Sequence, residues 1–206
     1  MITKEYLAFI CDVIHTCVVA TVDENGHPVT CAVDMMDYDD HGLYFLTAKG
    51  KSFYERLIRQ GYLSLTAIKG EDTMSSTAVS IRGKVKELGY EKAIELIEKN
   101  SYMNEIYPNE ESKKALSAFL IYEGNGEWFD LSKKPIERDS FVLGDIQVKE
   151  DGYYITDTCI GCGNCMIVCP QECIDASSLP HMIYQENCLR CGNCLSVCPV
   201  QAVVRR

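Results

Sequence analysis

CIGCGNCMIVCP, residues 159–170, returns at an offset of 29 residues as CLRCGNCLSVCP, residues 188–199. Both copies have the spacing C-x2-C-x2-C-x3-C-P. Three cysteines at this spacing on a tight loop can wrap three corners of a compact metal–sulfide cluster, and a fourth thiolate must arrive from elsewhere. Glycines between the cysteines leave backbone N–H groups free to bond the sulfur atoms. The repeat therefore predicts two iron–sulfur sites.

A pair of structural zinc sites is the alternative for so many cysteines. Zinc sites with four cysteine ligands normally use two C-x2-C pairs that are separated by a loop. Three consecutive cysteines followed by x3-C-P, repeated twice, fit that pattern poorly. We therefore expect clusters rather than zinc.

The C-terminal segment resembles the bacterial 2(4Fe-4S) ferredoxins over about 50 residues. In that pattern the fourth cysteine of each run ligates the cluster of the other run. The resemblance implies two 4Fe-4S clusters that transfer single electrons. The expected ligands of cluster one are Cys159, Cys162, Cys165 and Cys198, and those of cluster two are Cys188, Cys191, Cys194 and Cys169.

Four of the twelve cysteines lie outside this ligand set. Cys173 matches Ala202 in the second copy, so we expect a small buried apolar residue there. The other three lie on apolar faces of the N-terminal segment, and we expect them in its core; they are Cys11, Cys17 and Cys31.

Charge and hydropathy restrict the function classes. The 206 residues carry a formal net charge of −10, which argues against nucleic acid as the main partner. No apolar run approaches the roughly 18 residues that would predict a membrane span. The first residues, MITKEYLAFICDVIHT, mix charged side chains into the apolar ones and do not resemble a secretion signal. We therefore expect a cytoplasmic protein without membrane partners, in a compartment where clustered thiols bind metal.

The N-terminal segment predicts a small barrel. Asn25-Gly26 is a strong hairpin signal, and Gly124-Asn125-Gly126 predicts a second hairpin. Thr3 is expected to cap a first amphipathic helix. The predicted strands are 17–22, 28–36, 43–47, 62–68, 76–88 with a break near Gly83, 119–123 and 127–131, and the further helices are 52–60, 90–99 and 110–116. This pattern favours a mainly β barrel with helical decoration, followed by a small α+β ferredoxin-like domain.

A phosphate site is indicated where Thr47-Ala-Lys49-Gly-Lys51-Ser52 leads into the helix 52–60. Ser52 with Glu55 forms a capping-box pattern, and a helix N-terminus offers free N–H groups to an anion. Arg82 is a candidate second basic contact. Solvated lysines on a capped loop, and a strand-exposed arginine, are the alternatives.

The N-terminal segment is similar to the pyridoxamine 5′-phosphate oxidase-like family, the flavin split β-barrels. The similarity is carried by ATVDENGHPVT from Ala20, GLYFLTAKGK from Gly42, SIRGKV from Ser80 and GEWFDL from Gly126. It implies FMN held at the interface of a homodimer, with its phosphate at the Thr47–Ser52 turn and its ring along Asp34 and Met35. Residues 135–143 lack the Arg/His pair that grips the substrate phosphate in true pyridoxamine oxidases, so vitamin B6 oxidation is not expected.

We therefore expect an FMN-binding split barrel at 1–142, a linker at 143–152 and a two-cluster ferredoxin domain at 153–206. Together these predict an iron–sulfur flavoprotein in which two 4Fe-4S clusters and FMN exchange electrons and reduce a small acceptor. Its partners would be a second copy of the chain and a redox protein or small-molecule acceptor. The alternative is a non-catalytic electron carrier, or a redox or oxygen sensor whose barrel serves for dimerisation.

Overall fold

The computed structural model describes residues 2–147 and 151–206. The chain divides into two compact units. Unit one comprises Met1–Lys69, Ala78–Glu127 and Ser140–Val148, and unit two comprises Gly70–Thr77, Trp128–Asp139 and Lys149–Arg206. The boundaries inferred from sequence differ from this division at two segments, and residues 148–150 of the predicted linker lie outside the described residues. Within the described ranges, no helix has the length and apolar character that a membrane crossing requires.

A closed β-barrel forms the larger part of the fold. Its strands are β1 Thr16–Val22, β2 Pro28–Asp39, β3 Gly42–Ala48, β4 Tyr62–Lys69, β5 Thr77–Leu88 and β6 Leu116–Asp130, and β7 Glu137–Leu143 follows. The strand order is β3-β2-β1-β4-β5-β6-β7, and an additional antiparallel pairing of β3 with β6 closes a ring of six strands. The predicted mainly β barrel is confirmed.

Helices are inserted between the strands. They are α1 Thr3–Ala8, continued by a π-helical turn Phe9–Ile14, then α2 Ser52–Gln60, α3 Gly89–Lys99, α4 Met103–Ile106 and α5 Glu110–Lys113, with a 3₁₀ turn at Thr73–Ser75. Inside the barrel, the Phe45 and Phe119 rings stack with centroids 5.5 Å apart, and both are fully buried. Leu96 and Ile97 of α3 belong to a second apolar cluster that includes Met36 of β2. α3 therefore packs against β2 near Met36.

The start of the chain differs from the prediction. Ile2, not Thr3, is the N-cap of α1, and the Glu5 carboxylate accepts the Ile2 backbone N–H at 2.9 Å. The Thr3 hydroxyl donates instead to the carbonyl of Val142 at 3.1 Å. The helix widens into a π turn and ends at His15, which has φ of 68°. A tertiary hydrogen bond thus takes the place of the predicted local cap.

The second predicted hairpin is wrong, because β6 runs without interruption from Leu116 to Asp130. Gly124 and Gly126 do not form a turn. They lie within β6, where the absence of a side chain allows neighbouring residues to approach closely. A Cβ on Gly126 would lie 2.1 Å from the Phe141 ring, and one on Gly124 would lie 2.6 Å from the Cα of Gly83. Gly83 lies against Gly124 in this close contact, and β5 continues through it, so the predicted break near Gly83 is wrong. The predicted helix 110–116 ends at Lys113, because Leu116 already begins β6.

The cysteine-rich part of unit two is a small α+β fold, as predicted. Its elements are β8 Tyr153–Ile155, α6 Asn164–Ile167, β9 Ile174–Asp175, β10 Met182–Ile183, a 3₁₀ turn Gln185–Asn187, α7 Asn193–Val197 and β11 Val203–Arg205. β8 pairs with β11 and β9 pairs with β10, both antiparallel. β8 and β9 lie before and after the first cysteine run, and β10 and β11 lie before and after the second, so the sequence repeat is also a structural repeat.

Candidate functional site

Four cysteines from both copies of the repeat surround one cavity of unit two. Cys159, Cys162 and Cys165 of the first run line it together with Cys198 of the second run. The site has about 310 Å³ of free space, part of it open to solvent, and Ile155 and Val203 belong to its apolar lining. This is the set of residues that the sequence assigned to cluster one.

A second cavity repeats the arrangement with the two runs exchanged. Cys188, Cys191 and Cys194 line it together with Cys169 of the first run, and its free space is about 330 Å³, again partly open to solvent. Two cavities of similar size with four thiols each fit two four-cysteine clusters, which are bound through thiolates. The fold thus places Cys169 with the second run and Cys198 with the first, which is the crossing that the resemblance to the ferredoxins implies.

The leftover thiol Cys173 lies beside the second cavity. It is 3% exposed, and its Sγ is 3.5 Å from that of Cys169. A hydrogen bond with Cys173 lowers the pKa of Cys188 to about 6, while that same bond and burial raise the pKa of Cys173. Cys173 therefore keeps its proton and donates a hydrogen bond to the sulfur of Cys188, a predicted ligand. Its burial agrees with the small buried residue that the sequence predicted, and its thiol donor role was not predicted.

A larger cavity lies along β2 and β3 of the barrel, with about 830 Å³ of free space, part of it open to solvent. Thr47, Lys51 and Asp34 line it, and Thr47 is only 4% exposed. The apolar lining includes Met36 and Leu46. The Thr47 hydroxyl and the Lys51 ammonium can donate hydrogen bonds to a phosphate, and the apolar lining can contact an aromatic ring. The cavity therefore suits a phosphorylated aromatic cofactor.

Four other predicted site residues do not line this cavity. Met35 has no exposed surface, because the side chains of Asp34 and Met36 face the cavity while that of Met35 faces the core. Lys49 and Arg82 are exposed to solvent. Ser52 is the first residue of α2 rather than its cap: Lys51 holds the N-cap position, and no side-chain capping hydrogen bond forms. The predicted capping box at Ser52 is therefore wrong.

Several cavity residues were not predicted. Met103, Ile106 and Tyr107 reach it from α4 and the residue that follows, where the sequence shows no motif. Cys31 also lines the cavity and is half-buried, so its predicted place in the core is wrong, whereas Cys11 and Cys17 are buried as predicted. Alternation along β2 does not predict this position, because Cys31 lies an even number of residues from Met35, which is fully buried.

A polar network supports the cavity wall at Asp34. The Tyr102 hydroxyl donates to Asp34 Oδ2 at 3.1 Å, and the Thr16 hydroxyl donates to Oδ1 at 2.6 Å. His15 Nε2 lies 2.9 Å from the Tyr102 oxygen. Burial, and then the Asp34 charge, raise the pKa of Tyr102, so that its hydroxyl stays protonated. The carboxylate at the cavity is thus held in one orientation.

Solved structures similar to this chain share the barrel. A NimC/NimA family protein from Clostridium acetobutylicum matches with a TM-score of 0.57 and 15% identity, over 68% of this chain and 91% of that one. A protein related to general stress protein 26, also from C. acetobutylicum, matches with a TM-score of 0.53 and 18% identity, over 68% and 96%. PhzG from Burkholderia lata, in complex with tetrahydrophenazine-1-carboxylic acid, gives 0.51 and 15%, over 71% and 90%. At these identities the likeness shows the fold alone. No curated protein matches the chain.

Two family models match the chain. The model described as 4Fe-4S dicluster domain matches residues 158–202, which contain both cysteine runs. The model described as pyridoxamine 5′-phosphate oxidase matches residues 2–132, more than half of the chain and most of the barrel. The protein therefore belongs to the pyridoxamine 5′-phosphate oxidase family and carries a 4Fe-4S ferredoxin-type domain after its barrel.

Proposed function

We propose that this protein is an iron–sulfur flavoprotein that holds two 4Fe-4S clusters and FMN and reduces a small organic acceptor. The observation that carries the proposal is the presence, in one chain, of two four-cysteine cavities and a barrel cavity with a hydroxyl and an ammonium. Clusters transfer single electrons and a flavin transfers one or two, so a chain that holds both can connect a one-electron donor to a two-electron reduction.

The cluster sites fit their groups on the chemistry of their donors. Each cavity presents four thiols, and Cys188 ionises readily because Cys173 bonds its sulfur. In the first cavity, the side chain of His181 is 7% exposed and its Nδ1 has no hydrogen-bond partner. A polar atom left without a partner in a buried site is typical of a place where a group binds.

The barrel cavity fits FMN on its size and its donors. Lys51 would neutralise phosphate charge, and the Thr47 hydroxyl would donate to a phosphate oxygen. Asp34, fixed by Thr16 and Tyr102, would present an acceptor to the polar edge of the ring. Membership of the pyridoxamine 5′-phosphate oxidase family supports this assignment.

A homodimer is part of the proposal. The outer face of the barrel exposes apolar side chains on the neighbouring strands β1 and β4: Val18 is 57% exposed and Ile68 is 64% exposed. Val18 pairs with Thr66, and Ile68 lies two residues from Thr66 on the same side of β4. A second copy of this face would cover such side chains. A net charge of −10 favours a basic redox partner, and we place the protein in the reducing cytoplasm, where twelve thiols stay free of disulfides.

The test uses the full chain purified without oxygen. Denaturation should release one FMN per chain, and iron and sulfide should each approach about eight per chain, four for each cluster. After rapid mixing with a one-electron donor, cluster absorbance should bleach first and the flavin should follow at a rate that does not depend on protein concentration. A candidate acceptor should then reoxidise the protein.

Two results would contradict the proposal in different ways. Protein with two zinc ions and no sulfide would exclude the clusters. Protein with clusters but no flavin, or with a flavin that no organic acceptor reoxidises, would favour the electron carrier or redox sensor instead. Lys51→Ala protein, with clusters and without FMN, is the matched control for donor and acceptor reactions that bypass the flavin.

A further inference from the structure

His181 is a buried polar side chain without a partner in the first cysteine cavity. The residue is 7% exposed and lines the cavity together with Cys159, Cys162 and Cys198. Its Nδ1 is fully enclosed and makes no hydrogen bond with residues 2–147 or 151–206, the part of the chain that the structure describes. Its Nε2 lies 3.9 Å from the point where a Cβ on Gly161 would stand, so the ring covers the loop between the first two cysteines.

The structural repeat identifies the counterpart of this residue at the second cavity. Ile174 of β9 and Val203 of β11 correspond at the same offset of 29 residues as the cysteines. Ile174 pairs with Ile183, and Val203 pairs with Ile155. Ile155 and Ile183 are therefore equivalent in the two halves.

Two residues before these isoleucines, the halves differ. The chain carries Tyr153 before Ile155 and His181 before Ile183. Each ring lines one cavity: Tyr153 lines the cavity assigned to cluster two, and His181 lines the cavity assigned to cluster one. The Tyr153 oxygen lies 2.9 Å from the Cβ position of Gly192 and Tyr153 is half-buried, whereas His181 is enclosed. One ring position thus carries a buried nitrogen at one site and a phenol at the other.

A buried nitrogen without a partner destabilises a fold unless something in the site accepts its hydrogen bond. The polar atoms that share the lining of this cavity with His181 include the sulfurs of four cysteines. Sulfur atoms of a cluster accept N–H bonds, and these bonds stabilise the reduced, more negative state and so raise the reduction potential.

We propose that His181 donates a hydrogen bond from Nδ1–H to a sulfur of cluster one and thereby raises the potential of that cluster only. The inference rests on the proposed function, since it requires that cluster one is present. This hydrogen bond would make the surroundings of the two clusters different, although their cysteine ligands have the same spacing. No proton moves in this step, because the reduced cluster receives one electron and the N–H bond stays intact.

The experiment compares His181→Phe and His181→Gln in the full-chain holoprotein, with both cluster potentials measured by anaerobic titration monitored by electron paramagnetic resonance. Phe keeps a ring without N–H, and Gln restores an N–H donor. We expect the Phe variant to reduce one cluster with a roughly tenfold smaller equilibrium constant, a shift of about 59 mV for a one-electron couple. The other potential should not move, and Gln should recover most of the shift.

Tyr153→Phe is the matched control, since it removes a polar group from the equivalent ring position at cluster two and should leave the cluster-one potential unchanged. A second readout is pulsed electron paramagnetic resonance of the reduced protein in D₂O. The Phe variant should lack one exchangeable deuteron that couples to cluster one in the wild type. Equal potentials in wild type and the Phe variant, or equal shifts of both clusters, would overturn the inference. So would loss of four irons in both variants, because His181 would then be a ligand or a structural residue. Absence of clusters in the wild type would instead refute the proposed function.

Discussion

The barrel and the cysteine-rich fold build their interiors in different ways. The barrel buries large apolar side chains, among them Phe45, Phe119 and Ile81, at 1% exposure or less. The apolar cluster of the cysteine-rich fold has seven buried members, and four of them are Cys165, Cys173, Cys188 and Cys194. Three of those four are predicted ligands, so the second interior depends on what the thiols hold.

Element length shows the same contrast. β6 has 15 residues and α3 has 11, whereas α6 has four and α7 has five. A helix of one turn is not stable without tertiary packing, because nucleation costs more than so few hydrogen bonds return. The barrel can therefore fold through its own core, whereas we expect the cysteine-rich fold to require the metal groups that its cysteines bind. This difference is open to the following tests.

The largest effect is expected from a ligand substitution. Cys165→Ala should lose most of its iron, not only the half that belongs to cluster one, and should unfold the cysteine-rich part, because metal binding there is coupled to folding. Iron analysis with limited proteolysis would report it: residues after 150 should become sensitive while the main barrel fragment persists. Cys173→Ala is the control, since Cys173 is not expected to be a ligand, and it should keep full iron. A Cys165→Ala protein that retained all its iron would contradict the ligand assignment.

A core substitution in the barrel should destabilise the barrel and leave the iron content unchanged. Phe45 is fully buried and stacks on Phe119, so Phe45→Ala should lower the free energy of unfolding of the barrel by about 3–5 kcal/mol. Phe45→Leu, which keeps most of the volume, should cost less than about 1.5 kcal/mol. Denaturant unfolding followed by the fluorescence of the flavin would measure both, and iron per chain should stay unchanged below the transition. Simultaneous loss of iron and flavin would show that the two parts unfold as one.

Substitution of the two lysines of the predicted phosphate turn should have different effects on FMN affinity. Lys51 lines the barrel cavity and Lys49 does not, so Lys51→Ala should weaken FMN binding by about 10- to 150-fold through a lost charge-assisted hydrogen bond. Lys49→Ala should change it little, since Lys49 does not line the cavity. Fluorescence titration of flavin-free protein gives both affinities. Equal losses in the two variants would place the phosphate outside this cavity.

The cysteine sites were predictable because one compact object fixes the spacing of its ligands along the chain. The offset repeat identifies eight cysteines, the resemblance to the bacterial ferredoxins assigns them to two crossed sets, and the fold brings the same two sets together. The strands of the barrel were also largely predictable from apolar alternation and from turns such as Asn25-Gly26.

The barrel cavity was less predictable, since its residues come from distant segments and are sorted by register. Met35 and Met36 are neighbours in sequence, yet only Met36 lines the cavity. Gly124-Asn125-Gly126 has the composition of a turn, but the Phe141 ring, 15 residues further on, decides its role. Contacts of this kind leave no periodic signal in a single sequence.

The smallest effect is expected at Ser52, where a local sequence pattern is not realised. Lys51 occupies the N-cap of α2 without a side-chain hydrogen bond, so Ser52→Ala should change the stability of the barrel by less than about 0.5 kcal/mol. The matched control is Asn109, the N-cap of α5, whose Oδ1 accepts the Ser112 backbone N–H at 2.9 Å. Asn109→Ala removes a formed cap and should cost about 1 kcal/mol. Thermal unfolding of the two variants side by side measures the difference, and a larger loss at Ser52 than at Asn109 would show that Ser52 is the cap of α2 after all.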